Sequence, residues 1–299
     1  MGLPKIITIV GPTATGKSSI GIELAKAMGA EIISADSRQI YRGFDLCCGK
    51  ITPEEAGIIP HHMLDIKDIG ESFSVYDYQK MAYSLIHQIL LRGKTPLIVG
   101  GTGLYVQSVV EGYNFQEESV DTTLRDKLDG LSVDELQAML TQEDRNSLNT
   151  SDLHNKRRLI RRIEKATAGE PSHNKNVAMY DALQLGITWP KEMLHKRIDE
   201  RLDTRIEQGM IDEVKTYLDN DGNQDYLYRL GLEYRHTLWY LTGKYKSLDE
   251  FKLELARAIK HFAKRQMTWF RRIETIHWVD MDGDYLERAN SLINNFLEK

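Results

Sequence analysis

Cysteine is almost missing from this chain: 299 residues hold two, and they are neighbours, Cys47-Cys48. Adjacent thiols staple no distant segments, and neither has a spaced partner for zinc. This argues against a disulfide scaffold or structural metal and fits a reducing cytoplasm. His61 and His62 likewise lack spaced partner ligands and are read as structural. No apolar run approaches the length of a membrane span. A core-like segment opens at Lys5, which leaves no room for a signal peptide. Internal repeats and low-complexity tracts are absent too. The remaining composition, 41% hydrophobic and 28% charged, is that of an ordinary soluble globular protein. Its length allows one large domain or two smaller ones. Nothing in the sequence demands a partner chain, so a monomer is expected.

Net positive charge is also lacking, since the formal balance is −5. The average hides two dense basic runs. In 154–165, Lys156, Arg157, Arg158, Arg161, Arg162 and Lys165 stand against the single acid Glu164. In 257–272, Arg257, Lys260, Lys264, Arg265, Arg271 and Arg272 have no acid among them, and Trp269 and Phe270 are interleaved. One such run reads as a solvated helix face. Two on an acidic protein read as footprints for a polyanion, with nucleic acid the favoured class.

What is present in strength is the run Gly11-Pro12-Thr13-Ala14-Thr15-Gly16-Lys17-Ser18, directly after the apolar stretch Ile6–Val10. It is a G-x-x-x-x-G-K-[ST] pattern, by motif a nucleotide-binding loop of the ATP-binding type. Its flanks are the ones it needs, a buried strand before and a helix after. Backbone N–H groups of such a loop point at phosphate oxygens, and the helix N-terminus adds partial positive charge. Lys17 supplies a point charge for the terminal phosphate and Ser18 a hydroxyl for Mg²⁺.

Short apolar runs at 5–10, 31–35 and 95–100 read as buried parallel strands, with helices expected over 18–28 and 75–91. This predicts a doubly wound α/β fold: a P-loop NTPase-like core with a parallel sheet flanked by helices. Residues 113–182 are polar and helix-prone and read as an inserted helical domain, leaving 1–112 and 183–299 as the core. Core character returns with a strand at 183–189. One long helix is expected over 191–218, with Leu194, Ile198, Leu202, Ile206 and Val214 apolar and Arg197, Arg201 and Arg205 as one polar stripe. Helices over 234–241 and 248–272 and a last strand at 275–279 complete the reading.

A kinase or ATPase of this type carries an acid at the end of a core strand to hold Mg²⁺. Here the strand Leu97-Ile98-Val99 runs into Gly100-Gly101-Thr102-Gly103 without one. The acid instead follows the second strand, as Asp36 in Ser34-Ala35-Asp36-Ser37-Arg38-Gln39-Ile40-Tyr41. At a strand's carboxyl end, a carboxylate can hold metal, accept a proton, or simply cap the next helix.

With these motifs together, the chain resembles the tRNA dimethylallyltransferases, also called tRNA isopentenyltransferases. The matches are GPTATGKS at 11–18, SADSRQIYRG at 34–43, PHHMLDI at 60–66, IVGGTGLY at 98–105, RRLIRRIE at 157–164, HKRIDERLD at 195–203 and AKRQMTWFRR at 263–272. They span nearly the whole chain in the family's order. The resemblance implies that the loop Gly11–Ser18 holds a diphosphate rather than ATP, with Mg²⁺ bound by Ser18 and the substrate phosphates. It implies dimethylallyl diphosphate as donor and, as acceptor, the N6 amine of adenosine at tRNA position 37, just 3′ of the anticodon. Asp36 would take the N6 proton, Gln39 would read the adenine, and Thr13, Lys17 and Arg201 would clamp the leaving diphosphate. Ser37, Arg38 and Thr102 would flank the nucleotide. Arg125 (preceded by Asp121), Arg157, Arg158, Arg161, Arg229, Arg235 and Arg265 would hold the anticodon stem-loop. Trp269 reads equally as core or contact. One departure stands out: Glu233 occupies the place of the glycine in the family's Gly-Tyr-[Lys/Arg] turn, setting an acid in a segment expected to meet RNA.

Three other readings remain at this level. A small-metabolite P-loop kinase would need an acid for which only Asp65 is available. A prenyltransferase for free AMP or ADP would leave the basic runs without a purpose. A tRNA-binding protein with a relict phosphate loop would bind without modifying.

Overall fold

The computed structural model describes residues 2–115, 122–168 and 176–298. In chain order the elements begin β1 (Lys5–Val10), α1 (Lys17–Met28), β2 (Glu31–Ser34), α2 (Asp45–Cys48), α3 (Pro53–Ala56), β3 (His61–His62), α4 (Val75–Leu91), β4 (Pro96–Gly100) and α5 (Gly103–Val110). Five short helices follow: α6 (Thr122–Asp129), α7 (Val133–Ala138), α8 (Gln142–Ser147), α9 (Thr150–Leu153) and α10 (Lys156–Thr167). The chain then runs β5 (Asp181–Thr188), α11 (Lys191–Glu207), α12 (Met210–Asp219), α13 (Gln224–Leu230), α14 (Leu232–Leu241), α15 (Leu248–Phe270), β6 (Ile276–Asp280) and α16 (Tyr285–Glu298).

The six strands form one parallel sheet in the order β3-β2-β4-β1-β5-β6. This is the α/β class expected from the sequence. Alternate residues of β1 serve opposite faces, as the strand period requires. Ile7 and Ile9 pack with Leu24 of α1, Leu97, Leu185 and Ile293 of α16. Ile6 and Val10 pack with Ile33, Ile98, Tyr78 and Ile86 of α4 and Val106 of α5. With both faces covered, each fully buried isoleucine contributes about 2 kcal/mol. The order reverses at β1, with β4 on one side and β5 on the other. The crevice outside the carboxyl ends of a parallel sheet lies at such a switch point.

The chain divides into two compact units, Met1–Gly112 with Ala178–Lys299, and Tyr113–Val177. The second unit has its own small core of Leu128, Leu136, Leu140, Leu159, Ile160 and Ile163. Its helices are locally specified: Ser132 with Glu135, and Thr141 with Asp144, form reciprocal capping boxes. Strand β5 starts at Asp181, two residues ahead of the start read from the sequence.

The expected single helix over 191–218 is two. α11 stops at Glu207, Gly209 adopts φ 101°, and α12 starts at Met210. A left-handed glycine ends one helix and opens the next, which apolar periodicity alone does not register. Strand β3 is only two residues long and has no readable pattern. No described helix is long and apolar enough to cross a membrane.

Candidate functional site

The phosphate loop leaves β1 at Gly11 and enters α1 at Lys17. Gly11 has φ 147°, and a side chain there would meet the Ile187 carbonyl oxygen at 2.5 Å, so both conformation and space demand glycine. Ala14 sits at φ 62°, an unusual setting for a residue with a side chain. Neighbouring groups hold it there. Arg197 Nε donates to Ala14 O (2.9 Å), Trp189 Nε1 donates to Thr15 O (3.0 Å), and Thr15 Oγ1 donates to Pro12 O (2.9 Å). The Arg197 guanidinium also lies over the Trp189 ring at 5.0 Å. On the other flank Thr13 N–H donates to Gln266 Oε1 (2.9 Å), while Gln266 Nε2 donates to Gly101 O (3.0 Å). One amide on α15 thus ties the phosphate loop to the glycine loop after β4. The sequence reading noted Gln266 within its motif without giving it a role; a long-range bridge of this kind has no local signature.

Lys17 turns back on the loop and donates to Pro12 O at 2.6 Å. Burial, helped by the Arg201 charge and opposed by Asp36, lowers its pKa to about 7. Arg201 reaches across from α11 to Thr13 Oγ1 and to Gly49 O, each at 3.4 Å. Its own pKa falls to about 10, chiefly by burial and then by Arg205. Asp199 and Glu200 are the acids nearest Arg201 in sequence and the natural candidates for a surface ion pair with it. The structure gives those acids to others: Asp199 pairs with Lys260 and Glu200 with Lys196. Ser18, second residue of α1, is exposed.

Asp36 follows β2 and lies close enough to act electrostatically on both Lys17 and Arg201. Its carboxylate accepts from Arg38 N–H (2.9 Å), a local turn that orients it. Thr102, at the start of α5, accepts from Ser37 N–H (3.1 Å) and so braces the same segment. Gln39 is engaged within the fold. Its Oε1 accepts from Ser34 Oγ (3.3 Å) and its Nε2 donates to Gly49 O (3.3 Å). Arg38 packs against Gly231 at the head of α14. The structure therefore brings Thr13, Lys17, Asp36 and Arg201 into one crevice, with Ser37, Arg38, Gln39 and Thr102 along its rim.

Cys48 donates to Phe44 O, and burial pushes its thiol to about 12, so it is no nucleophile. Asp65 is held by Lys50 (2.5 Å), which also pairs with Asp45. His62 pairs with Glu31, and His61 Nδ1 lies 2.8 Å from Ile59 O.

Glu233, which the sequence sets in a segment expected to meet RNA, lies half-buried in the first turn of α14, where burial raises its pKa against the opposing pull of Arg205 and then Arg201. The basic residues outside the crevice also differ from a uniform footprint. Arg125 makes a bidentate pair with Glu164 (2.7 and 2.6 Å), which Arg161 also approaches. Arg158 pairs with Asp152 and Arg162 with Asp144. Arg157 is exposed. Asp121 falls outside the described residues. In the core unit Arg229 is exposed, Arg235 lies over the Tyr228 ring at 4.5 Å, and Arg265 lies over Phe262 at 5.6 Å. Trp269 is core, packed against Gly103.

The sequence pattern of the family described as IPP transferase matches residues 39–273. The chain belongs to this family. Its relatives agree. It is 40% identical over 292 residues to "tRNA dimethylallyltransferase 1" of Geotalea uraniireducens, covering 96% of each chain. It is 40% identical over 301 residues to "tRNA dimethylallyltransferase" of Anoxybacillus flavithermus, covering 98% of this chain and 96% of the other. Among solved structures it is similar to the full-length tRNA isopentenylpyrophosphate transferase of Bacillus halodurans (TM-score 0.74, 36% identity, 98% and 97% covered). A eukaryotic dimethylallyltransferase acting on tRNA shares the fold (TM-score 0.81, 24% identity, 99% and 80% covered).

Proposed function

We propose that the chain transfers a dimethylallyl group from dimethylallyl diphosphate to N6 of the adenosine just 3′ of the tRNA anticodon, position 37, and releases diphosphate. The observation that carries this reading is the meeting of a carboxylate, Asp36, with the cations Lys17 and Arg201 beside a phosphate loop. A proton acceptor next to a leaving-group cradle suits alkyl transfer to a weak amine nucleophile.

In this account the diphosphate lies along Gly11–Ser18, with backbone N–H groups and the start of α1 directed at its oxygens. The N6 lone pair attacks the allylic carbon as the bond from that carbon to the diphosphate oxygen breaks. Lys17 and Arg201 offset the charge that develops on the departing oxygen, and Thr13 adds a hydroxyl beside Arg201. Asp36 receives the N6 proton, leaving a neutral alkylated amine. The Ser18 hydroxyl suits a hard cation such as Mg²⁺, which would keep most of its other ligands as water and substrate phosphate. When bound, it supplies further charge neutralisation on the diphosphate.

Reaching N6 requires the adenosine to leave the stacked anticodon loop, at a cost of a few kcal/mol that an unpaired base keeps small. Basic groups on both units, among them Arg157, Arg229, Arg235 and Arg265, are the proposed holders of the stem-loop backbone. The family relationship supports tRNA as the acceptor. A cytoplasmic, monomeric enzyme is part of the same proposal.

Purified protein incubated with unmodified tRNA, Mg²⁺ and dimethylallyl diphosphate should yield dimethylallyl-adenosine on nucleoside mass spectrometry. If tRNA binds but no modified nucleoside forms, the catalytic reading fails. A phosphate loop that takes ATP in preference to the prenyl donor would return it to the kinase class.

A further inference from the structure

One backbone carbonyl is shared by two residues with different tasks in the proposed reaction. Gly49 O accepts from Arg201 Nη2 (3.4 Å), assigned to the diphosphate, and from Gln39 Nε2 (3.3 Å), assigned to the adenine. The Arg201 side chain also lies against this residue. A Cβ built on Gly49 would fall 2.2 Å from Arg201 Nη2 and 1.5 Å from Arg205 Nη2. Gly49 ends α2 with φ 61°, so conformation and space both keep it bare. Any shift of Gly49 is therefore felt by Arg201 and Gln39 together.

The turn that carries Gly49 is held at both ends. Within it, Gly49 N–H donates to Leu46 O (3.2 Å) and Lys50 N–H to Asp45 O (2.9 Å), so 45–50 forms one tight piece. At its close, the Lys50 side chain is 4% exposed; it pairs with Asp45 and Asp65 (2.5 Å each) and donates to Tyr41 O (2.8 Å). At its start, the residue before α2 is Phe44, which offers no capping side chain. The first N–H groups of a helix find no partner inside it. Glu213 of α12 supplies the acceptors. Its Oε1 accepts from Leu46 N–H (2.9 Å) and its Oε2 from Cys47 N–H (2.9 Å), a pair of charge-assisted bonds. The break at Gly209 makes this possible. In an unbroken helix Glu213 would stand about 18 Å beyond Arg201 along the axis. The left-handed glycine redirects the chain, so α11 presents Arg201 and α12 presents Glu213 to the same turn.

We propose that Glu213 is a positioning residue for both substrates: by holding the α2 turn, it fixes Gly49 O as the common anchor of Arg201 and Gln39. The proposal rests on the assignment of Arg201 to the diphosphate and Gln39 to the adenine. Glu213 acts through the backbone of α2 and takes no part in the chemistry. Because one carbonyl sets both side chains, loss of Glu213 should loosen donor binding and misalign the acceptor at once.

The test uses the full chain with unmodified tRNA, dimethylallyl diphosphate and Mg²⁺, and titrates inorganic diphosphate by calorimetry. Glu213→Ala should raise KM for the prenyl donor and Kd for diphosphate about fivefold and lower kcat about tenfold, because small misplacements are enough for such losses. Glu213→Gln keeps one acceptor oxygen and should fall between. Val214→Ala, the next residue of α12 and fully buried, controls for stability alone. It should lower the unfolding midpoint while Kd, KM and kcat stay within about twofold of the starting protein. Gly49→Ala drives a side chain into the guanidiniums and should reproduce the combined defect, which keeps the proposal testable where Glu213→Ala fails to fold. A folded Glu213→Ala that binds and turns over like Val214→Ala overturns the proposal, as does a folded Gly49→Ala with ordinary kinetics. Arg201→Lys and Gln39→Ala separate the layers. If both are impaired while Glu213→Ala is not, only the role of Glu213 is lost. An Arg201→Lys protein with unchanged KM and Kd overturns the diphosphate assignment, and the proposal with it.

Discussion

The two ends of the same sheet handle buried charge in opposite ways. At the amino end, Glu31 opens β2 and is 3% exposed. Its two oxygens are met by Arg92 (3.0 and 2.6 Å), by His62 Nε2 (2.8 Å) and by Lys94 (3.5 Å). The hydrogen bond from Arg92 above all, with His62 assisting, holds its pKa near 2. At the carboxyl end, Lys17 is driven down by burial and by a neighbouring arginine, and Glu233 is driven up. One end has its charges satisfied by protein. The other leaves charges that, on the proposed function, an incoming polyanion would balance. Stability is concentrated where the network is closed, and function where it is left open.

The largest effect expected at the open end is on turnover. Asp36→Ala should lower kcat by about 10³-fold, in the range for loss of a positioned base, while leaving the unfolding midpoint unchanged. Single-turnover kinetics with saturating prenyl donor would check it, and a variant that modified tRNA at the ordinary rate would remove Asp36 from the base role. The mirror experiment is Glu31→Gln. It should cost about 2–3 kcal/mol in denaturant unfolding, because charge-assisted bonds are lost inside the sheet, with kcat unaltered in the folded protein.

Acid sharpens the same contrast. Glu31 is held below its ordinary value of 4.5, so its contribution to stability is present above that value and is lost as pH falls toward 2. Glu31→Gln should flatten this acid limb, read from unfolding midpoints between those two pH values. Lys17 is a burden on stability where Glu31 is a gain, though both slopes rise with pH. Between pH 7 and 10.5 the unfolded chain holds a proton that the folded site has released, so its burden on stability shrinks as pH rises. Diphosphate binding should restore that proton. Calorimetry near pH 8 in buffers of different ionisation heat should show uptake of a fraction of a proton per site, absent in Lys17→Ala. The smallest effect lies in the second unit. Arg157→Ala should loosen tRNA only about twofold and lower the salt slope by about one, whereas Arg125→Ala breaks the Glu164 pair and acts through folding.

These contrasts follow what was and was not legible in the chain. The phosphate loop, β1 and the α/β class could be read because strand, glycine turn and helix are contiguous in sequence. Helix α4 falls at residues 75–91 as expected, its start marked by the Ser74–Asp77 capping box. The break at Gly209 was missed because Val214 continues the apolar pattern across it. The partners of the basic residues were missed for a different reason. Asp144 lies far from Arg162 along the chain, and Asp152, though only six residues before Arg158, is on a separate short helix, so the packing of α8, α9 and α10 brings both pairs together.

The Gln266 amide has a mechanical corollary. α15 is one continuous helix from Leu248 to Phe270, and a slip of a single residue along it would swing Gln266 about 100° around the axis. The gap between the loop after β1 and the loop after β4 is thus gauged by the rotational setting of a rod some twenty residues long. The far half of that rod is moored to α11 through Lys252–Asp203 and Lys260–Asp199. Loosening those moorings would change the calibre of the crevice from a distance, without touching a single atom that meets the substrate.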